Sequence, residues 1–306
     1  MRKIPALIVV AGLLATLTAC STSSAPGSSG CTTPVSGDAS SVVTATGSFG
    51  SAPTVHVPSP LITAKTETST VIQGKGQVLV DGTPALIRFS EYSGATGKKL
   101  STSSYSASTS LVTVGSTSVG PVADAIACSA VGSRLVVAAK ASETKSAKAK
   151  KTSKPESADV YVIDVVKAFL PKANGALQLG VNNMPAVVTA PNGAPGITIP
   201  DRAAPTSDST QLIRAGKGAK LTKADSAIVQ LTAVTWATPS AVQGSTWTSG
   251  DAATSVSLSS TQIPAQIRKA LIGQRVGSQV MAVITPTAAS GSTTAYVYVF
   301  DILGSL

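Results

Sequence analysis

Apolar and polar residues alternate over short runs along most of the chain, and only two stretches fall into a helical period. Ala85-Leu86-Ile87-Arg88-Phe89 and Ala227-Ile228-Val229-Gln230-Leu231 predict strands, as do the apolar runs Leu135 to Ala139 and Val280 to Ile284. Tyr161-Val162-Ile163-Asp164-Val165 and Tyr298-Val299-Phe300-Asp301-Ile302 predict two more. Ile263, Ile267, Ala270 and Leu271 stand at i, i+4, i+7 and i+8, the stripe of a short helix packed on a sheet, with Arg268 and Lys269 toward water. Val119, Val122, Ala123 and Ile126 form a matching stripe, with Pro121 suited to the first turn.

These elements occur twice in the same order. Ser41-Val42-Val43-Thr44-Ala45 leads through a Gly-containing turn to Pro53-Thr54-Val55-His56-Val57-Pro58. Ala186-Val187-Val188-Thr189-Ala190 leads through Asn192-Gly193 to Pro195-Gly196-Ile197-Thr198-Ile199-Pro200, so each copy opens on a hairpin. A strand entering a glycine turn follows, Val71 to Gly76 or Leu212 to Gly218, and each helix runs into Val-Gly-Ser, at Val131 or Val276. Two tandem domains are expected, residues 41–170 and 186–306, joined by a linker at 171–185. Strands, one short helix and strands again predict an α+β fold, each domain an antiparallel sheet wrapped around one helix.

The start of the chain has a different character. Arg2 and Lys3 precede an apolar stretch, Ile4 to Leu17, too short to span a bilayer, which marks 1–19 as an export signal. Its ending, Leu17-Thr18-Ala19-Cys20, resembles a bacterial lipobox, which implies lipidation of Cys20 and anchoring on the extracytoplasmic face of the cell membrane. Residues 20–40 read as the tether, Ser/Gly/Pro-rich from Ser21 to Gly30. In an oxidising compartment the remaining pair, Cys31 and Cys128, is expected to be bridged, and their spacing lacks the paired ligands of a zinc site.

Composition narrows the chemistry. Charged residues make up 12% and aromatics 4%, and the chain has one histidine, which leaves little for a Ser-His-Asp triad or a multi-His metal centre. The formal charge of +10 becomes +8 once Arg2 and Lys3 leave with the signal. Lys140, Lys145, Lys148, Lys150, Lys151 and Lys154 form a cationic loop expected to be solvated, with anionic headgroups or wall polymers as its natural contacts. Nucleic acid is not an expected partner of an exported chain with so few aromatics. His56 is expected at the surface, and Trp236 and Trp247 in the core or at its rim.

A strand, a glycine turn, a variable segment and a short helix ending in Ala-Leu-x-Gly-x-x-Val-Gly-Ser, then two apolar strands, resemble the FKBP-type peptidyl-prolyl isomerase domain. The segment from Lys269 through Ala270-Leu271-Ile272-Gly273 and Val276-Gly277-Ser278 to Val280 carries the likeness, and Tyr298 to Leu303 resembles the family's final strand. With the lipobox and the two copies, the chain is similar to tandem FKBP-like lipoproteins of high-GC Gram-positive bacteria.

The resemblance implies a shallow apolar pocket that grips a prolyl ring and favours the twisted X-Pro amide, with no cofactor or metal. Phe89, Leu100, Val112, Val122 and Tyr161 would line it in the first copy, and Leu231, Val256, Ile263, Ile267 and Tyr298 in the second. The family's pocket aspartate falls at Ser101 and Gly244, and its flap tyrosine has no counterpart. Proline-containing exported polypeptides are the expected clients, handled with weak isomerase activity; the alternative is a catalytically silent binding module on the same scaffold.

Overall fold

The computed structural model describes residues 31–106, 109–144, 157–237, 240–248, 252–285 and 294–306. The export signal, Cys20, the tether up to residue 30 and the lysines between 145 and 154 lie outside the described residues. The first half opens with helix α1 (Asp38–Ser41) and strands β1 (Thr44–Thr46), β2 (Thr54–His56), β3 (Glu67–Ile72), β4 (Pro84–Ser93), β5 (Lys99–Thr102) and β6 (Ser110–Thr113). Helix α2 (Pro121–Ala125), β7 (Arg134–Ala139), α3 (Ala141–Thr144) and β8 (Asp159–Ala168) complete it. The second half holds β9 (Ala176–Leu177), β10 (Ala186–Thr189), β11 (Pro195–Thr198), β12 (Ser209–Ala215), β13 (Ser226–Thr235), β14 (Val242–Ser245) and β15 (Thr254–Ser257). Helix α4 (Ala265–Leu271), β16 (Gln279–Ile284) and β17 (Tyr296–Ser305) follow.

Both halves use the same antiparallel wiring. In the first sheet the order is β3-β7-β8-β4-β5, with β6 also on β4; in the second it is β14-β13-β17-β16-β12-β9, with β15 also on β13. The last strand of each half therefore lies inside its sheet, β8 between β7 and β4, β17 between β16 and β13. The glycine turns expected after β3 and β12 close in the same way in both. The N–H of Gly74 donates to Ser133 Oγ at 2.9 Å and that of Gly216 to Ser278 Oγ at 3.0 Å. A Cβ on either glycine would collide with the carbonyl oxygen of Val131 or Val276, so only glycine lets these loops cross.

The expected architecture, two α+β FKBP-like domains each wrapping one helix, is corrected by what the described residues hold. The fold is mostly β, with four sheets, and its four short α-helices divide three to one between the halves. The reason is that each main sheet is covered on both faces. On one face α2 packs over Ile87, Val112, Leu135 and Ile163, and α4 over Val229, Val256, Val280 and Phe300. On the other face the β1–β2 hairpin and α1 cover Tyr92, Val136, Ala138, Val160 and Val162. The β10–β11 hairpin covers Trp236, Met281, Val283, Val297 and Val299 in the same manner. Strands buried on both sides lose the polar alternation of a one-faced sheet, which is why Leu135 to Ala139 and Val280 to Val283 are apolar without a break.

Polar groups pin these hairpins down. Arg134 and Asp164 face each other in register on β7 and β8, both out of solvent, with Nε to Oδ1 at 2.6 Å. The other guanidinium nitrogens donate to Asp164 Oδ2 and to the carbonyls of Gly47, Ser48 and Ser51 in the turn between β1 and β2. At the matching place in the second half Gln279 donates to Asp301 at 2.8 Å and accepts from Thr189 on the hairpin at 3.2 Å.

The expected disulfide joins Cys31 to Cys128, with 5.6 Å between their Cα atoms. The chain just after Cys31 belongs to the fold, since Thr68 donates to the Val35 carbonyl and Ala39 is buried. The halves meet through Leu86, Phe169, Ile228, Ala253 and Leu303. Ala253 N–H donates to Thr113 Oγ1 at 2.9 Å and Leu170 N–H to the Leu303 carbonyl at 3.1 Å across that seam.

Candidate functional site: the helix-side face of each sheet

On the helix side of the first sheet, β4 places Phe89, β6 Val112, β8 Tyr161 and α2 Val122 against one apolar cluster. Val112 is buried within it; Phe89, Val122 and Tyr161 are half-buried at its edge. Leu100 stands elsewhere. It is 57% exposed on β5, an edge strand whose four residues all face solvent. Nine of the ten expected pocket residues thus gather on the helix-side faces, and Leu100 does not join them.

The second sheet repeats the arrangement. Val256 on β15 is buried, and Leu231 on β13, Ile263, Ile267 on α4 and Tyr298 on β17 pack around its cluster half-exposed. Positions 296, 298 and 300 share one side of β17 by the two-residue period of a strand, and their rings form a row. Tyr298 stacks on Phe300 with centroids 5.8 Å apart and planes within 5°, and Tyr296 stands 6.4 Å from Tyr298. Burial pushes the Tyr298 phenol above its ordinary value, with Tyr296 adding to the shift.

Two kinds of residue at these sites escaped the sequence pattern. Glu91 opposes Tyr161 in register, accepts its hydroxyl at 3.2 Å and takes a second bond from Ser101 Oγ at 2.8 Å. Burial, reinforced by the Glu91 charge, raises the Tyr161 phenol so far that it stays protonated across the working range of proteins. The second kind is a hydroxyl clip. Ser103 Oγ accepts from Phe89 N–H at 2.8 Å and donates to its carbonyl at 3.2 Å; Thr246 does the same for Leu231 at 2.9 and 3.2 Å. Each clip fixes the backbone of the first pocket residue where the edge strand leaves the sheet. Its only sequence signal is a Ser or Thr at the same offset after each edge strand.

Such a face can bind an apolar ring and remove water from an adjoining amide, with the Tyr161 hydroxyl held by Glu91 rather than free to move a proton.

No family model matches the chain, and no curated protein matches it. Solved structures similar to it include the three FKBP domains of wheat FKBP73, at 12% identity and a TM-score of 0.32, covering 79% of this chain and 94% of that one. The N-terminal domain of FKBP42 from Arabidopsis thaliana gives 12% and 0.30, over 35% of this chain and 87% of that one. FkpA from Escherichia coli gives 19% and 0.28, over 39% and 51%. These neighbours are FKBP-domain proteins, and the overlap with each is loose.

Proposed function

We propose that the chain is an FKBP-type peptidyl-prolyl cis–trans isomerase-like lipoprotein that assists the folding of exported proteins. The observation that carries the reading is the recurrence, in both halves, of one half-buried apolar and aromatic group at the same place: Phe89, Val122 and Tyr161 beside α2, and Leu231, Ile267 and Tyr298 beside α4.

Rotating an X-Pro amide costs about 18–20 kcal/mol because resonance across the C–N bond must be broken. A site that holds the prolyl ring and strips water from the amide carbonyl favours the twisted form, whose charge separation is smaller, without a nucleophile or a metal. The grip supplied by one ring against Phe89 or Tyr161 is on the order of 1.5–3 kcal/mol. With few aromatic walls and a serine or glycine at the family's aspartate position, the acceleration is weak. Anchoring through lipidated Cys20 keeps the domains on the extracytoplasmic face, where unfolded clients emerge, and the 140–154 lysines add contact with anionic surfaces.

The test is the refolding of a proline-limited protein in the presence of the whole chain. Acceleration that disappears in Tyr161→Ala or Tyr298→Ala supports the reading and names the active half. A folded chain that gives no acceleration in large excess overturns it and leaves a binding module on this scaffold.

A further inference from the structure

The seam between the halves opens into a cleft of about 580 Å³, walled by both. Val114 comes from the first half, Pro171 from the connection, and Pro191, Gln230 and Trp247 from the second. Two polar atoms of this wall are unmatched among the described residues. Gln230 is 3% exposed and its Oε1 accepts no hydrogen bond from them; the Trp247 indole nitrogen is likewise buried and finds no acceptor among them. A buried donor or acceptor left without a partner weakens the fold. The other indole lacks this deficit: Trp236 donates to the Arg202 carbonyl at 3.0 Å.

The internal repeat gives this position a counterpart in the first half. Arg88 is the counterpart of Gln230, since Arg88 opposes Asp164 in register as Gln230 opposes Asp301. In the first half the β1–β2 turn closes over that position, and Arg88 Nη1 donates to the Gly50 carbonyl at 3.1 Å. In the second half the same position lines the cleft together with Pro191 and Asn192 of the β10–β11 turn; Arg88 Nε and Gln230 Oε1 both lack a partner among the described residues, but only Gln230 lines the cleft.

We infer that the cleft between the halves binds an extended polypeptide segment, with Gln230 Oε1 accepting a backbone N–H and the Trp247 indole donating to a backbone carbonyl. The unmatched pair is neutral, one acceptor and one donor, which is the complement of a peptide group. Pro171, Pro191, Val114 and the indole ring supply apolar walls for the flanking side chains. The choice of polypeptide as ligand rests on the function proposed above; the site itself does not, because none of the ten expected pocket residues lines it.

The indole N–H signals of the whole ¹⁵N-labelled chain give the test, assigned by the loss of one of them in Trp247→Phe. The probe is a proline-free capped peptide, acetyl-Ser-Leu-Ala-Leu-Ala-Leu-Ser-amide, so that failure here is separate from failure of prolyl isomerisation. The expected result is a saturable shift of the Trp247 signal with the Trp236 signal unmoved, and binding about tenfold weaker in Gln230→Leu. Isomerase activity in Gln230→Leu is expected to match the parent chain. The inference is overturned if millimolar peptide leaves the Trp247 signal in place, if Gln230→Leu binds as tightly as the parent, or if a neutral chito-oligosaccharide shifts the signal and the peptide does not. The titration of the parent chain decides the matter even should the Gln230 variant fold poorly.

Discussion

Arg134 on β7 and Asp164 on β8 form a fully buried ion pair whose spare guanidinium donors reach three carbonyls of the β1–β2 turn. The pair therefore joins sheet to hairpin. Arg134→Met strands a buried carboxylate, and a loss of about 3–5 kcal/mol is expected in urea unfolding. Adding Asp164→Leu removes the stranded charge and is expected to recover only part of that loss. The turn carbonyls and the Gly50 N–H, which donates to Asp164 at 2.8 Å, are still left unpaired.

The equivalent aspartate in the second half is Asp301, which opposes Gln279 in register. Burial raises the Asp301 carboxyl above the ordinary carboxylate range, and the Ala173 N–H and the Gln279 amide offset this only in part. The folded state thus holds this proton more tightly than the unfolded chain does, whose aspartates titrate near about 3.9. That contribution favours folding below the unfolded value and is lost as pH rises through the folded one. Asp301→Asn has no such loss, with the Gln279 amide turning over to accept from it. Its stability relative to the parent chain is expected to improve between pH 3 and pH 7, read from urea midpoints; a pH-independent difference would contradict the assignment.

Cys31 and Cys128 are 97 residues apart in sequence. Chain-entropy arithmetic gives a loop of that size up to about 4–5 kcal/mol. Replacing both cysteines by serine is expected to lower the thermal midpoint of the first half, in calorimetry, by more than it lowers that of the second.

Gly304 faces Phe169 across the seam so closely that a Cβ there would meet the edge of the ring. Gly304→Ala is expected to cost about 1–3 kcal/mol through overpacking, and Phe169→Ala about 3–5 kcal/mol through the cavity it leaves. Both variants should loosen the union of the halves, seen as faster proteolysis in the connection at 171–175.

Tyr161→Phe keeps the ring and removes only the bond to Glu91. If the ring is what grips the prolyl group, this variant retains isomerase activity within about threefold, whereas Tyr161→Ala does not. Equal losses in the two would mean that the hydroxyl matters more than the ring.

Local signals carried far in this chain. The helix over Ala265–Leu271 was legible from the spacing of Ile267, Ala270 and Leu271, and Pro121 marked the first residue of α2. Both hairpins, β4, β8, β13 and β17 were legible from short alternating runs, and β7 and β16 from unbroken apolar ones, whereas the short strands β5, β6, β9, β14 and β15 were not legible from that pattern. The second covering layer was not read, although the unbroken run Leu135 to Ala139 already implied burial on both faces. Arg134 gives no sign by itself that it is buried, because only its pairing with Asp164 and the turn carbonyls makes burial tolerable. Leu100 resembled a pocket residue through the family pattern, yet an edge strand with a register shift between Glu91 and Tyr92 leaves it in water. The cleft depends on contacts between residues more than a hundred positions apart, such as Thr113 and Ala253, which no local window contains.

The interior place of β17 has a consequence for how the chain assembles as it emerges from its amino end. β13 and β16 have no direct pairing with each other; each finds its main partner in β17, which is made after both. The first half meets the same condition at β8 and is complete once residue 168 is out, whereas in the second about 60 residues separate the end of β13 from the start of β17. Throughout that interval β13 has only β14 and β15 to pair with and β16 only β12, so the edges that β17 fills stay open, and the finished first half, with Phe169 presented at the seam, is the surface already available for them to meet.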